Sequence, residues 1–185
     1  MSKTLFTSES VCAGHPDKIC DAISDALLDE ILRQDPLSRG AIEAVAGANQ
    51  VSLFGEVKTT AKLDYKKVVF DLIKKFGYTN PAWGFSAESP FSNFIHEQSP
   101  EIAQGVDVDG AGDQGMMFGY ACKETPELMP MPITLAHSLT RRIDEARERG
   151  ELKWLRPDGK SQVTVEYENG KPVRVVKVVA AVAHS

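Results

Sequence analysis

Cysteine is scarce in this sequence: only Cys12, Cys20 and Cys122 occur among 185 residues, and no two form a CxxC pair. An odd and scattered set argues against a disulfide scaffold and fits a reducing compartment. No histidine or second cysteine stands at zinc-ligand spacing, so the thiols read as small buried packing residues. Long hydrophobic runs are missing as well. Nothing approaches the roughly 18–20 apolar residues that a membrane span needs. The N-terminus, Met1-Ser2-Lys3-Thr4-Leu5-Phe6, turns polar and acidic instead of continuing into a secretory signal. Cationic charge is the third shortage. Lys and Arg number 21 against 26 Asp and Glu, a net charge of −5. Arg141, Arg142 and Arg149 alternate with acids on a helix-like stretch and form no basic stripe. These absences predict a cytoplasmic protein with neither a membrane nor a nucleic acid as partner.

What is present is ordinary globular material, 42% hydrophobic and 25% charged, of a length that suits one domain or two small ones. Gly14-His15-Pro16 opens a helix in which Ile19, Ile23, Leu27 and Ile31 recur every fourth residue, and the pattern stops near Gln34-Asp35-Pro36. Strands follow over 41–46 and 51–58 around Gly47-Ala48-Asn49-Gln50. A second helix is predicted over 65–76, closed by Gly77, and a short strand over 91–98. Residues 116–122 read as another strand. Ile133, Ala136, Leu139, Ile143 and Ala146 mark a third helix ending at Gly150. Strands over 162–167 and 173–182 make a hairpin about Asn169-Gly170. Strands and helices mix without strict βαβ alternation, which predicts an α+β fold with largely antiparallel sheet.

The chemistry-bearing residues fall in four places. At Gly14-His15-Pro16-Asp17-Lys18 a helix N-terminus offers free N–H groups and the positive end of its dipole, a setting for phosphate. His15 and Lys18 add donors there, and Asp17 is placed to hold a magnesium ion bridging phosphates. Asp17 equally suits a helix start without any metal. Asp21, Asp25 and Asp29 repeat it along one face, where like charges repel by about 0.2–0.5 kcal/mol per pair. In the first hairpin a 47–50 loop sets Glu43 opposite Phe54, so Glu43 and Glu56 share a face as diagonal neighbours. Two carboxylates there mark either a cation or ammonium site or a plain solvated face. Gly110-Ala111-Gly112-Asp113-Gln114-Gly115 matches GxGxxG but follows a loop and precedes a strand, the wrong context for a dinucleotide fingerprint. It remains a flexible loop carrying Asp113. Gly159-Lys160-Ser161 imitates the end of a Walker A loop without its earlier glycine or its helix. What is left there is a turn, Asp158-Gly159-Lys160, with a carboxylate and an ammonium.

Together these segments resemble methionine adenosyltransferase, also called S-adenosylmethionine synthetase. The resemblance runs from FTSESVCAGHPDKICDAISDALLD through Gln98-Ser99-Pro100-Glu101-Ile102 and GAGDQGMMFGYA to LMPMPITLAHSL and WLRPDGKSQV, nearly the whole chain in order. It implies repeated two-layer α+β domains, each a mostly antiparallel sheet with helices on one face. The N-terminal domain would cover 1–98, a flexible gate 99–109, and an incomplete central domain 110–185. The implied reaction joins ATP and L-methionine, with Mg²⁺ and K⁺ as cofactors, and releases phosphate and pyrophosphate. His15 would sit against the triphosphate, Asp17 would hold Mg²⁺, and Glu43 would help bind K⁺. Glu56 and Gln98 would contact methionine, Asp113 both methionine and the nucleoside, and Asp158 and Lys160 ATP, with His15, Asp17 and Lys160 catalytic. The sites would lie between subunits of a homodimer or larger homo-oligomer.

Three departures from the family pattern stand out. Cys12-Ala13 replaces a more polar pair before Gly14, and the gate between Gln98 and Gly110 is several residues short. Family members are also considerably longer, and their later half carries further lysines, an arginine, an aspartate and an adenine-stacking aromatic. The chain ends at His184-Ser185 directly after a hydrophobic strand, which reads as a second domain cut short. The alternative expectation is therefore a catalytically incomplete half that binds ATP or polyphosphate.

Overall fold

The computed structural model describes residues 2–99 and 115–185. They form two compact units, one from 1–18 with 118–185 and the other from 19–117. Strand β1 (Lys3–Val11) leads into helix α1 (Pro16–Gln34). After it come β2 (Arg39–Gly47), β3 (Gln50–Lys58), α2 (Tyr65–Lys75) and β4 (Phe91–Glu97). Helix α3 (Met131–Glu148) precedes the long strands β5 (Leu155–Glu168) and β6 (Lys171–His184). The class is α+β, as the sequence predicts.

The unit of residues 19–117 holds a three-stranded sheet in the order β2-β3-β4. β2 and β3 pair antiparallel, and β4 joins β3 in parallel after the α2 crossover. Ala48 and Asn49 both take positive φ and close the hairpin as a two-residue turn. Glu43 pairs with Phe54, the register expected from the sequence. One face of the sheet carries the helices. Ile19, Ile23 and Leu27 of α1, with Val69, Phe70 and Ile73 of α2, pack on Val51 and Leu53 of β3. The four-residue stripe of α1 is wholly buried, and full burial of each such side chain stabilises by about 1.5–3 kcal/mol. Helix α2 is capped at both ends. Asp64 accepts the Lys67 N–H at 2.9 Å, while Gly77 at φ 97° lets Tyr78 N–H reach Ile73 O at 3.2 Å.

The other unit holds an antiparallel sheet in the order β1-β5-β6. Helix α3 covers one face through Ala136, packed on Val163, Val165 and Tyr167. It ends as predicted at Gly150, whose φ of 67° admits a closing bond from Glu151 N–H to Ala146 O at 2.9 Å. The Asn169-Gly170 turn joins β5 to β6, both longer than the sequence pattern indicates. Two expectations fail. Residues 116–122 form no strand: they find no pairing partner among the described residues and lie mostly exposed. Asp158-Gly159-Lys160 is no turn, because β5 already runs through it between its two neighbours.

Candidate functional site

The first polar corner is built where β1 hands over to α1. Cys12 N–H donates to Gly159 O at 2.8 Å and His15 N–H to Cys12 O at 3.1 Å, which turns the chain against β5. Gly14 is buried there, and a β-carbon on it would stand 2.6 Å from the Pro157 carbonyl oxygen. Gly159 is required for the same reason from the other side, since its β-carbon would meet Cys12 Sγ at 2.9 Å. Each approach leaves no room for a β-carbon on the glycine, Gly14 against Pro157 and Gly159 against Cys12.

His15 caps the helix. Its ring is nearly buried, and Nδ1 accepts the Asp17 N–H at 3.2 Å, one of the donors that a helix start leaves unpaired. In the neutral ring the proton then sits on Nε2, which is left as a donor. The Asp17 side chain is 84% exposed and lies 3.7 Å from Nδ1, outside hydrogen-bond range. It is open to solvent or to a ligand. Lys18 is partly committed, since Nζ donates to Val11 O at 2.6 Å. Across the strand pair, Lys160 stands opposite Val11 and is exposed. Asp158, two residues earlier on the same face of β5, is half-buried, and its Oδ1 has no hydrogen-bond partner among the described residues. His15 and Asp17 directly follow the end of β1, and Asp158 and Lys160 lie on the stretch of β5 beside that end.

Helix α3 supports this corner with residues that the sequence reading overlooked. Asp144 Oδ2 accepts the Ala13 N–H at 2.9 Å, and burial raises the Asp144 carboxyl above its ordinary range. Ser10 Oγ joins His137 Nδ1 at 2.8 Å and the Thr140 hydroxyl at 3.0 Å. Burial, with smaller contributions from Lys18 and Arg141, lowers the His137 ring. Burial first, then Asp144, pushes the Cys12 thiol up to about 12, so it stays protonated and inert.

The second corner lies on the helix-free face of the β2-β3-β4 sheet. Glu43 and Glu56 share that face as diagonal neighbours through the Glu43–Phe54 and Ala41–Glu56 pairs. Glu43 also lines a cavity of about 270 Å³ with Ser24, Asp25 and residues 40–42. Gln98 continues β4 by donating its N–H to Val57 O at 2.9 Å. Its Nε2 lies 3.4 Å from Glu56 Oε1, and its Oε1 is buried without a partner among the described residues. The structure therefore brings Glu56 and Gln98 together. Asp113 lies outside the described residues, as does the 99–109 segment apart from Ser99.

No group of three or more His, Cys, Asp or Glu side chains is set to hold a metal among the described residues. No helix is long and apolar enough to cross a membrane.

By fold and site the chain is a two-unit α+β protein with sheets backed by helices, presenting one polar corner at a helix start and another on an open sheet face. Residues 3–100 match the model of the S-adenosylmethionine synthetase N-terminal domain, and residues 108–185 that of the central domain. The chain belongs to the S-adenosylmethionine synthetase family. It is 50% identical to the S-adenosylmethionine synthase of Gloeobacter violaceus over 204 aligned positions, covering all of this chain and 49% of that protein. The corresponding enzyme of Trichormus variabilis is 51% identical, over 98% of this chain and 47% of its own length. That of Nocardia farcinica is 50% identical, over 98% and 49%. The chain spans about half the length of the curated relatives it matches.

Proposed function

We propose that this chain takes part in making S-adenosylmethionine from ATP and L-methionine, with release of phosphate and pyrophosphate. The observation that carries the reading is the helix start at His15, where a capped imidazole, an open carboxylate and the Lys160 ammonium occupy one end of a sheet within a chain of this family. Methionine sulfur attacks the ribose C5′, and the whole triphosphate leaves in line with it. Neutral sulfur needs no general base, so the protein's task is alignment and stabilisation of the departing charge. His15 donates Nε2–H to a leaving oxygen, Lys160 supplies positive charge, and Asp158 orients the nucleotide. Asp113 stands near the methionine and nucleoside.

Glu56 and Gln98 take the methionine ammonium. Gln98 Oε1 has no partner among the described residues and Glu56 is a carboxylate acceptor beside it, and an ammonium group provides three donors. The metals that the family implies are consistent with the residues present. Asp17 is an exposed oxygen ligand at a phosphate-favouring helix start, suited to a magnesium ion whose other ligands are phosphate oxygens and water. Glu43, which lines a cavity with Ser24 and Asp25, offers a carboxylate oxygen for potassium. Bound magnesium would supply charge neutralisation on the triphosphate. We read residues 1–98 as the N-terminal domain, 99–109 as a gate, 110–185 as a central-domain segment, and the protein as a cytoplasmic homo-oligomer.

A second reading follows from the half-length match to the relatives: a chain that binds ATP or polyphosphate without turnover. One assay separates the two. The purified chain is incubated with ATP, L-methionine, Mg²⁺ and K⁺, and S-adenosylmethionine is followed by mass. Product that falls by about 10²–10³-fold in His15→Ala supports the synthetase reading, because that is the usual cost of removing one donor to developing charge. No product, with magnesium-dependent ATP binding that Asp17→Asn abolishes, supports the second.

A further inference from the structure

The helix-free face around Glu56 also carries His96, to which neither the family match nor the sequence motifs draw attention. β4 pairs with β3 in parallel, and that register sets His96 directly beside Glu56. Side chains alternate along a strand, so Phe94, His96 and Gln98 project to the side that Phe54 and Glu56 occupy. His96 Nε2 lies 3.9 Å from Glu56 Oε2, too far for a hydrogen bond, and its side chain is 69% exposed. Glu56 Oε1 is taken up by Gln98, while Oε2 faces His96 and has no hydrogen bond among the described residues. The next row of the face is the stacked pair Phe54–Phe94, with ring centroids 5.1 Å apart, and it borders the polar groups with exposed apolar surface.

A ligand of one particular shape satisfies this arrangement. Among the described residues Glu56 Oε2 and Gln98 Oε1 accept no hydrogen bond, and such a pair of acceptors calls for a cation with several N–H donors. A ring N–H beside them calls for an anion that is attached to that cation. The ammonium and carboxylate of an α-amino acid sit on a single carbon and meet both demands at once. A simple amine meets only the first. The aromatic pair alongside suits an apolar or thioether side chain, since sulfur packs well at aromatic rings.

We propose that His96 is a further substrate-binding residue, donating its Nε2–H to the carboxylate of the α-amino acid whose ammonium lies on Glu56 and Gln98. The proposal rests on the ammonium reading of Glu56 and Gln98 given above. It makes His96 the residue that distinguishes an amino acid from the corresponding amine.

The test is isothermal titration of the full chain with L-methionine and, separately, with 3-(methylthio)propylamine, which keeps the side chain and ammonium but lacks the carboxylate. His96→Ala should weaken methionine binding about ten- to a hundredfold, the usual worth of one hydrogen bond to a charged group, and leave the amine unchanged. His96→Gln, which keeps an N–H donor, should recover part of the loss. Glu56→Gln should weaken both ligands. His96 is exposed, so its variants should fold, and their circular dichroism should overlay that of the parent. If His96→Ala weakens the two ligands equally, or neither, the carboxylate role is wrong while the ammonium site stands. If the parent chain binds neither ligand, or Glu56→Gln binds both as well as the parent, the ammonium reading fails and this proposal falls with it.

Discussion

At the scale of single residues, the polar corner depends on two glycines, Gly14 packed on Pro157 and Gly159 packed on Cys12. Gly14 faces the Pro157 carbonyl at a distance where an added methyl must displace backbone, not a flexible side-chain tip. Gly14→Ala should therefore lower stability by about 1–3 kcal/mol, the usual cost of overpacking. A urea titration reads this as a lower midpoint with an unchanged slope; an unchanged midpoint would mean that the β1–α1 turn yields freely. The sequence displayed the local geometry at this scale well. Gly14-His15-Pro16-Asp17 names its own helix start, and a register argument from the 47–50 loop placed Glu43 opposite Phe54. It did not display which ring atom of His15 is used up by the cap. Nor did it display Asp144 or His96, because the neighbour that draws attention to each is supplied only by the fold: Ala13 N–H for one, Glu56 for the other.

At the scale of elements, the apolar stripes of α1 and α2 and the turn residues after each hairpin made those segments legible. β1 was not, and the reason is chemical. Leu5 and Phe6 are adjacent and both exposed, while the buried position near its end is Ser10, satisfied by His137 and Thr140. A strand whose inward side is polar shows no alternation of hydrophobic residues to read. The opposite error occurred at 116–122, where a run of Met, Phe and Tyr looks strand-like but a strand exists only if another strand pairs with it. Connections between elements carry stability too. Asp35, just past α1, accepts the Thr60 N–H at 2.8 Å and the Thr60 hydroxyl at 3.0 Å, tying the helix end to the segment after β3. Those bonds, the Thr60 N–H first, hold its carboxyl down at about 2. A depressed carboxyl contributes stability that is present above its unfolded value and lost as the pH falls through about 2. Asp35→Asn should thus lower the urea midpoint at pH 7, and the gap to the parent should close as the pH approaches that value. A gap that stays constant from neutral pH to acid would show that the carboxylate charge contributes nothing.

At the scale of the whole molecule, sequence order conceals one connection that matters. β1 belongs to the same sheet as β5, roughly a hundred and fifty positions later, so the polar corner closes only when the two ends of the chain meet. No local pattern announces such a pairing, since its evidence is distributed over both strands. The same sheet has an open side. β6 is fourteen residues long, pairs with β5 alone among the described residues, and exposes Val173, Val175, Val176, Val178 and Val179. A long apolar edge with unpaired N–H and C=O groups is a template for another strand, and proteins that leave one open commonly blunt it with charge. Lys177 is the only charge between Val175 and Ala183. A second copy of the chain should therefore pair along this edge, and sedimentation velocity should show association that grows with concentration. Val176→Lys combined with Val178→Lys should shift the population toward monomer without altering the helix signal in circular dichroism. A chain that stays monomeric at every concentration, or an associated form that both lysines leave untouched, would place the contact elsewhere, with the helix-free face bearing Phe54 and Phe94 the next surface to change.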